Sequence, residues 1–247
     1  NSLKRALLLL GVLLLLALPA RAAITLRAAG PFVCNSVNTT TIVLVAPAGV
    51  AATDVVEAVI FVSDGTGTSI TPPTGWTLVN RTDNGTVGGM AVYWALGNVA
   101  SYTFSLGGNN GNMGFAIAYI GVDNTTPMDA AGVGQANASS ATITAPSITT
   151  VTANAMLVGF FGINSVSTFT AVFGTIEKSG SCAGDLNAAL AGADAIQASA
   201  GASGTKTETA SVAATNIGIL SALRPVAGAA APAGFNKRQK LQKLGIT

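Results

Sequence analysis

From Val55 onward, short apolar runs recur along the chain with turn-forming residues between them. That rhythm belongs to a β-sandwich or barrel rather than to strands alternating with helices. Val55–Val62 places Val56, Ala58, Ile60 and Val62 on one face and Val55, Glu57, Val59 and Phe61 on the other, as expected of a central strand covered on both sides. Asp64-Gly65-Thr66-Gly67 and Pro72-Pro73-Thr74-Gly75 break the pattern and predict loops. Residues 76–81 and 90–96 then predict an antiparallel pair joined through Asp83-Asn84-Gly85 and Gly88-Gly89. Further strands are predicted over residues 101–106, 113–122, 141–148, 156–161, 169–176, 188–197, 205–212 and 217–223, with Gly107-Gly108-Asn109-Asn110-Gly111 as a hairpin loop. The expectation is an all-β, antiparallel two-sheet sandwich over residues 23–225, with jelly-roll or Greek-key-like connections.

The two ends differ from this body. Lys4 and Arg5 precede an apolar run over residues 6–18, followed by Pro19 and the small-residue site Ala20-Arg21-Ala22. Residues 1–22 therefore read as an apolar signal helix cleaved after Ala22, because the run falls short of the ~20 residues that cross a bilayer. A secreted or cell-surface location follows, with no stable membrane span after cleavage. Residues 226–247 form an Ala/Gly/Pro linker and a short tail in which Lys237, Arg238, Lys240 and Lys243 accompany Leu241, Leu244 and Ile246. Such a tail is either a membrane-surface or partner-docking peptide or a solvated end.

Hydrophobic residues at 49% and charged residues at 9% exclude a disordered chain. Between residues 28 and 236 the only cations are Arg81, Lys178, Lys206 and Arg224, against ten carboxylates. With no basic patch to neutralise phosphates, nucleic-acid binding by the body is excluded. Cys34 and Cys182 are the only cysteines. In an exported chain they are a candidate disulfide; two unpaired thiols are the alternative.

The chain has no histidine, which removes the usual base of nucleophilic triads and the usual ligand of catalytic zinc. Paired carboxylates suit glycoside hydrolysis, but the acids here are scattered beside Gly, Asn and Thr, where capping of turns is their ordinary role. A non-enzyme is expected. Glu57 stands apart, since it interrupts an apolar strand and must face solvent or a buried partner. Asp64, Asp123 and Asp129 lie in predicted loops and are candidate calcium ligands; no other cofactor is expected. Trp76, Tyr93 and Tyr102 are candidates for a sugar-stacking platform. Parity places Trp94 with Val92 and Leu96 toward the core and Tyr93 on the opposite face, exposed beside Ala91 and Ala95; Trp76 follows a loop and suits the end of a sandwich. Asn38, Asn80, Asn84, Asn124 and Asn137 begin glycosylation sequons.

Pro73-Thr74-Gly75-Trp76-Thr77-Leu78-Val79, Ala91-Val92-Tyr93-Trp94, Tyr102-Thr103-Phe104 and Ala118-Tyr119-Ile120-Gly121-Val122-Asp123 with Pro127-Met128-Asp129 form a recognisable series. Ala145-Pro146-Ser147-Ile148-Thr149, Leu157-Val158-Gly159-Phe160-Phe161 and Ala222-Leu223-Arg224-Pro225 extend it. Over residues 38–225 the series resembles a β-sandwich family of secreted bacterial and archaeal surface proteins and phage structural proteins, with Ala95 standing where many relatives have Lys. The resemblance implies fold and exposure and carries over no catalytic residue. The functional expectation is an exported, non-catalytic structural or adhesive module that meets an extracellular glycan or protein or assembles with its own copies. A carbohydrate-binding module of a secreted or phage tail protein is the alternative, and a glycosidase the third.

Overall fold

The computed structural model describes residues 23–97 and 100–227, and every regular element there is a β-strand apart from one 3-10 turn, Gly65–Gly67. The first half of the chain supplies β1 (Thr25–Ala29), β2 (Val33–Val45), β3 (Val55–Val62), β4 (Ile70–Thr71), β5 (Thr77–Asn84), β6 (Gly88–Leu96) and β7 (Ser101–Ile120). These form one seven-stranded antiparallel sheet. The second half supplies β8 (Met128–Ala145), β9 (Thr149–Thr150), β10 (Ala155–Ile163), β11 (Phe169–Thr170), β12 (Thr175–Cys182), β13 (Ala188–Gln197), β14 (Gly201–Ala202) and β15 (Lys206–Leu223). All but β9 and β14, which pair with one another, form a six-stranded antiparallel sheet. The two sheets stack, so the all-β, two-sheet expectation stands. No helix among the described residues is long and apolar enough to cross a membrane. The predicted signal segment, 1–22, and the tail beyond residue 227 lie outside the described residues.

The second sheet repeats the wiring of the first. The order β7-β3-β6-β5, with β2 and β4 on β7, becomes β15-β10-β13-β12, with β8 and β11 on β15. Register matches as well. Val62 sits between Gly89 and Asn112, and Ile163 sits between Ala189 and Asn216. The bulge between Leu78 and Asn80 in β5 has its counterpart between Ile176 and Lys178 in β12. Even a buried amide ladder is repeated. Asn35 Nδ2 donates to Asn112 Oδ1 at 2.9 Å while Asn112 Nδ2 donates to the Asn110 carbonyl at 2.8 Å. In the other half Asn137 Nδ2 donates to Asn216 Oδ1 at 2.9 Å, and Asn216 Nδ2 to the Ala214 carbonyl at 3.1 Å. Both ladders lie where the register of the long strand shifts, and they satisfy backbone groups that the disrupted pairing leaves over.

Three apolar clusters follow from this wiring. The odd face of β3 (Val55, Val59, Phe61) packs on Val158, Phe160, Ile217 and Ile219 between the sheets. The even face (Val56, Ala58, Ile60, Val62) is covered from outside by Ile42 and Leu44 of β2 and Tyr102, Phe104 and Leu106 of β7. Because residues 112–119 of β7 pair with β3 while residues 101–106 cover it, β7 folds over its own sheet as a lid. In the same way Ile143 and Ala145 of β8 and Ala210 of β15 cover Leu157, Phe161 and Ile163 on the outside of the second sheet.

Several sequence expectations are corrected here. Gly107-Gly108-Asn109-Asn110-Gly111 is not a hairpin loop but part of the continuous β7, where side-chain-free residues let the strand bend. Residues 205–212 and 217–223 likewise form one strand, β15. Residues 169–176 divide at Gly174, whose φ of +59° ends any straight strand. Strands β1 and β2 are not among the predicted strands; β1 is too short to show a pattern, whereas β2 ends in the apolar run Ile42-Val43-Leu44-Val45 with Ile42 and Leu44 buried.

Both lateral seams between the sheets are closed. Asn84 Nδ2 of β5 reaches the Asn137 carbonyl of β8 at 3.0 Å, and Asn80 Nδ2 reaches the Gly132 carbonyl at 3.2 Å. At the opposite seam Cys34 of β2 and Cys182 of β12 form a disulfide with their Cα atoms 5.4 Å apart. Register makes Asn84 and Cys182 equivalent, each paired with the first strand residue after its hairpin, Gly88 or Ala188. One seam is held covalently and the other by two side-chain amides.

Candidate functional site

The groove with the most chemistry opens on the outer face of the first sheet, beside the lid. Leu78 of β5 lies directly opposite Tyr93 of β6, and past the bulge Arg81 and Asp83 share that face, opposite Ala91 and Gly89. The loop carrying Thr66, Thr68 and Ser69 and the edge strand β4 form the facing wall of a shallow, open groove of about 480 Å³. Arg81 holds this wall in place. Its Nη2 donates to the carbonyls of Gly65 at 2.7 Å and Thr68 at 2.6 Å, and its Nε and Nη2 engage the Asp83 carboxylate at 2.9 to 3.1 Å. Tyr93 closes the floor by donating its hydroxyl to the Ile70 carbonyl at 2.7 Å. Burial pushes that hydroxyl's pKa above its ordinary value, and the nearby Arg81 charge pulls partly against it.

The aromatic candidates are brought together, but not as a platform. Tyr93 is only 4% exposed and Tyr102 only 2%, so the expectation of an exposed Tyr93 is overturned. Parity assigned its face correctly. What parity does not contain is the lid, which comes from strands distant in sequence. Trp76 is half-buried and meets Tyr102 edge-on at 4.8 Å and Phe104 at 5.3 Å, with Tyr93 tilted on Phe104 at 5.5 Å. The Tyr102 hydroxyl is buried without a hydrogen-bond partner among the described residues. Trp94, expected in the core, packs against the inter-sheet cluster while remaining partly exposed.

The three calcium candidates do not converge. Asp64 precedes the 3-10 turn beside the groove. Asp123 caps its own turn, accepting from the Thr125 and Thr126 amides at 2.9 and 3.2 Å, which lowers its pKa. Asp129, expected in a loop, is buried within β8; it accepts from the Val151 and Thr152 amides and pairs with Arg224 at 3.2 Å. An ion-paired, amide-capped carboxylate is a structural group. Among the described residues no three His, Cys, Asp or Glu side chains are grouped to hold a metal ion.

A second constellation lies between the sheets. Glu57 is fully buried and accepts from Ser221 Oγ at 2.9 and 3.2 Å, and the Tyr119 hydroxyl donates to Asp194 Oδ2 at 2.9 Å. Each carboxyl thus takes a hydroxyl from the opposite sheet. Desolvation raises the Glu57 pKa to about 8, with the Ser221 bond opposing it. Burial also raises Asp194 against its bond from Tyr119, and raises Glu177, which the neighbouring Asp194 charge pushes further. Enclosed in this way, the cluster acts on the packing of the sheets rather than on a solute. Of its members only Glu57 signalled itself in the sequence, by interrupting an apolar strand. Tyr119, Asp194 and Ser221 look like ordinary strand residues until the sheets are stacked.

In comparisons with known proteins, the chain matches no family model and no curated protein.

Proposed function

We propose that this chain is an exported, non-catalytic β-sandwich module that works at a cell surface or in the extracellular space as a structural or adhesive unit. The observation that carries the reading is the Cys34–Cys182 disulfide across one seam of the sandwich, a bond that persists in oxidising compartments and is rare in the cytosol. The signal-like segment at residues 1–22 points the same way. So does the resemblance to secreted and phage-associated sandwich domains. Each half returns its last strand, β7 or β15, to pair with both β3 and the earlier β2, or with both β10 and the earlier β8, and on that feature we class both halves as Greek-key-like. The partner in this reading is an extracellular glycan or protein.

The closed seams favour adhesion through faces and grooves over assembly through free edges, since β5 and β12 each face a strand of the other sheet. Fractionation of cells expressing the full chain tests the location, with thiol labelling to report the cysteines. Oxidised protein at the surface or in the medium supports it. Reduced, unprocessed protein retained in the cytosol overturns it.

A further inference from the structure

The groove beside Tyr93 has an internal control, because the second half of the chain builds the same frame. Register equates Leu78 with Ile176, Arg81 with Ser179, Asp83 with Ser181 and Tyr93 with Ala193. In the second half the facing segment is held by other groups: the Ser167 amide donates to Ser181 Oγ at 3.3 Å, the Thr168 amide to Ser211 Oγ at 3.2 Å, and the Val172 and Phe173 amides to the Glu208 carboxylate at 2.9 and 3.1 Å. The frame therefore stands with Ser, Ser and Ala where the first half has Arg, Asp and Tyr. The same strand wiring thus stands without the Arg81–Asp83 ion pair and the Tyr93 ring, which in the first half line a shallow, open groove.

We propose that this groove binds a neutral saccharide. The inference rests on the adhesive reading above and names its site and ligand class. Arg81 spends Nε and Nη2 on Asp83 and two carbonyls, so it is not poised as a clamp for a free anion. A cationic ligand meets Arg81, and an anionic one meets Asp83. A neutral polyol suits both: the Asp83 carboxylate, 20% exposed, keeps acceptor capacity for sugar hydroxyls. Thr66 and Ser69 add exposed hydroxyls on the facing wall. Leu78, 51% exposed in the lining of the groove, offers an apolar surface against which the C–H face of a sugar ring packs. Thr68 takes no part, since its hydroxyl is engaged by Asn110 Nδ2.

The test uses the full chain on a glycan array, followed by titration of the best neutral oligosaccharide while Trp fluorescence and amide chemical shifts are recorded. Leu78→Ala and Asp83→Asn are the groove variants, and Thr103→Ala, on the exposed outer face of the lid, is the control. Melting temperatures are measured for all three, and the loss in a variant is read only where the fold is retained; Leu78, being exposed, keeps the test available if Asp83→Asn loosens the loop. The expected result is binding of neutral glycans that weakens roughly tenfold or more in each groove variant and is unchanged in the control. Glycan binding that no groove variant weakens overturns the site while leaving the adhesive reading standing. Adhesion to protein-coated surfaces with no neutral glycan bound overturns the ligand class. Loss of both glycan and protein adhesion overturns the inference together with the reading beneath it.

Discussion

Ser221 Oγ on β15 donates to the Glu57 carboxylate on β3 at 2.9 Å, a hydrogen bond between the sheets with both side chains fully buried. The Tyr119 hydroxyl feels the charges of Glu57, Asp194 and Glu177 and donates to Asp194. Desolvation of Glu57 outweighs the Ser221 bond, and the carboxyl holds its proton through neutral pH.

The sign of the pH dependence follows. The folded value, about 8, lies above the ordinary value of 4.5, so the folded state keeps a proton that the unfolded chain sheds. The contribution of Glu57 to stability is greatest below about pH 4.5, falls as pH rises, and levels off above about pH 8, by on the order of 5 kcal/mol in total. Asp194 and Glu177, raised in the same direction, add to the slope. Glu57→Gln keeps a partner for Ser221 and removes the titration. Urea midpoints across this range are expected to fall less steeply in the variant, which becomes the more stable protein at alkaline pH.

The two seams predict unequal losses. Reduction of Cys34–Cys182, which closes a separation of 148 residues, is expected to cost about 2 to 4 kcal/mol, mainly by releasing the unfolded chain. Asn84→Ala at the opposite seam removes one hydrogen bond to the Asn137 carbonyl and is expected to cost about 1 kcal/mol. Denaturant unfolding with and without reductant, on wild type and variant, compares them directly.

The repeated amide ladder makes a paired prediction. Asn112→Ala removes its bonds with the Asn35 amide, the Thr39 hydroxyl and the Asn110 carbonyl, and Asn216→Ala removes those with the Asn137 amide and the Ser140 and Ala214 carbonyls. Because both sites are buried, each variant is expected to lose about 2 to 3 kcal/mol. Calorimetric melting of the two single variants should give similar shifts, and a large effect at one site alone would contradict their equivalence.

Gly75 and Gly174 occupy matching loops before β5 and β12, with φ of +90° and +59°. Around Gly75 a Cβ meets open space, whereas at Gly174 it would lie 1.8 Å from the Asp194 carbonyl oxygen. Gly75→Ala is expected to cost only the backbone strain, about 1 kcal/mol. Gly174→Ala must also displace β13, and we expect a loss of several times that, visible as poor soluble yield and an early melting transition.

Alternation along the chain was enough to assign the all-β class, the central strand at residues 55–62 and the opposite faces of Tyr93 and Trp94, because strand geometry is a local, period-two property. The cysteine pair and the interruption at Glu57 were also legible as chemistry. The duplication, the two lids, the amide ladders and the groove were not, since each depends on which distant strands pair. Glu57 and Ser221 stand 164 residues apart, and Tyr93 is buried by strands that end before residue 46 and begin after residue 100. A side chain's face is set by its neighbours in sequence. What covers that face is set by tertiary pairing, and here the pairing buried Tyr93 and Tyr102 and left Trp76 half-buried, while Arg81, Asp83 and Leu78 stand along an open wall.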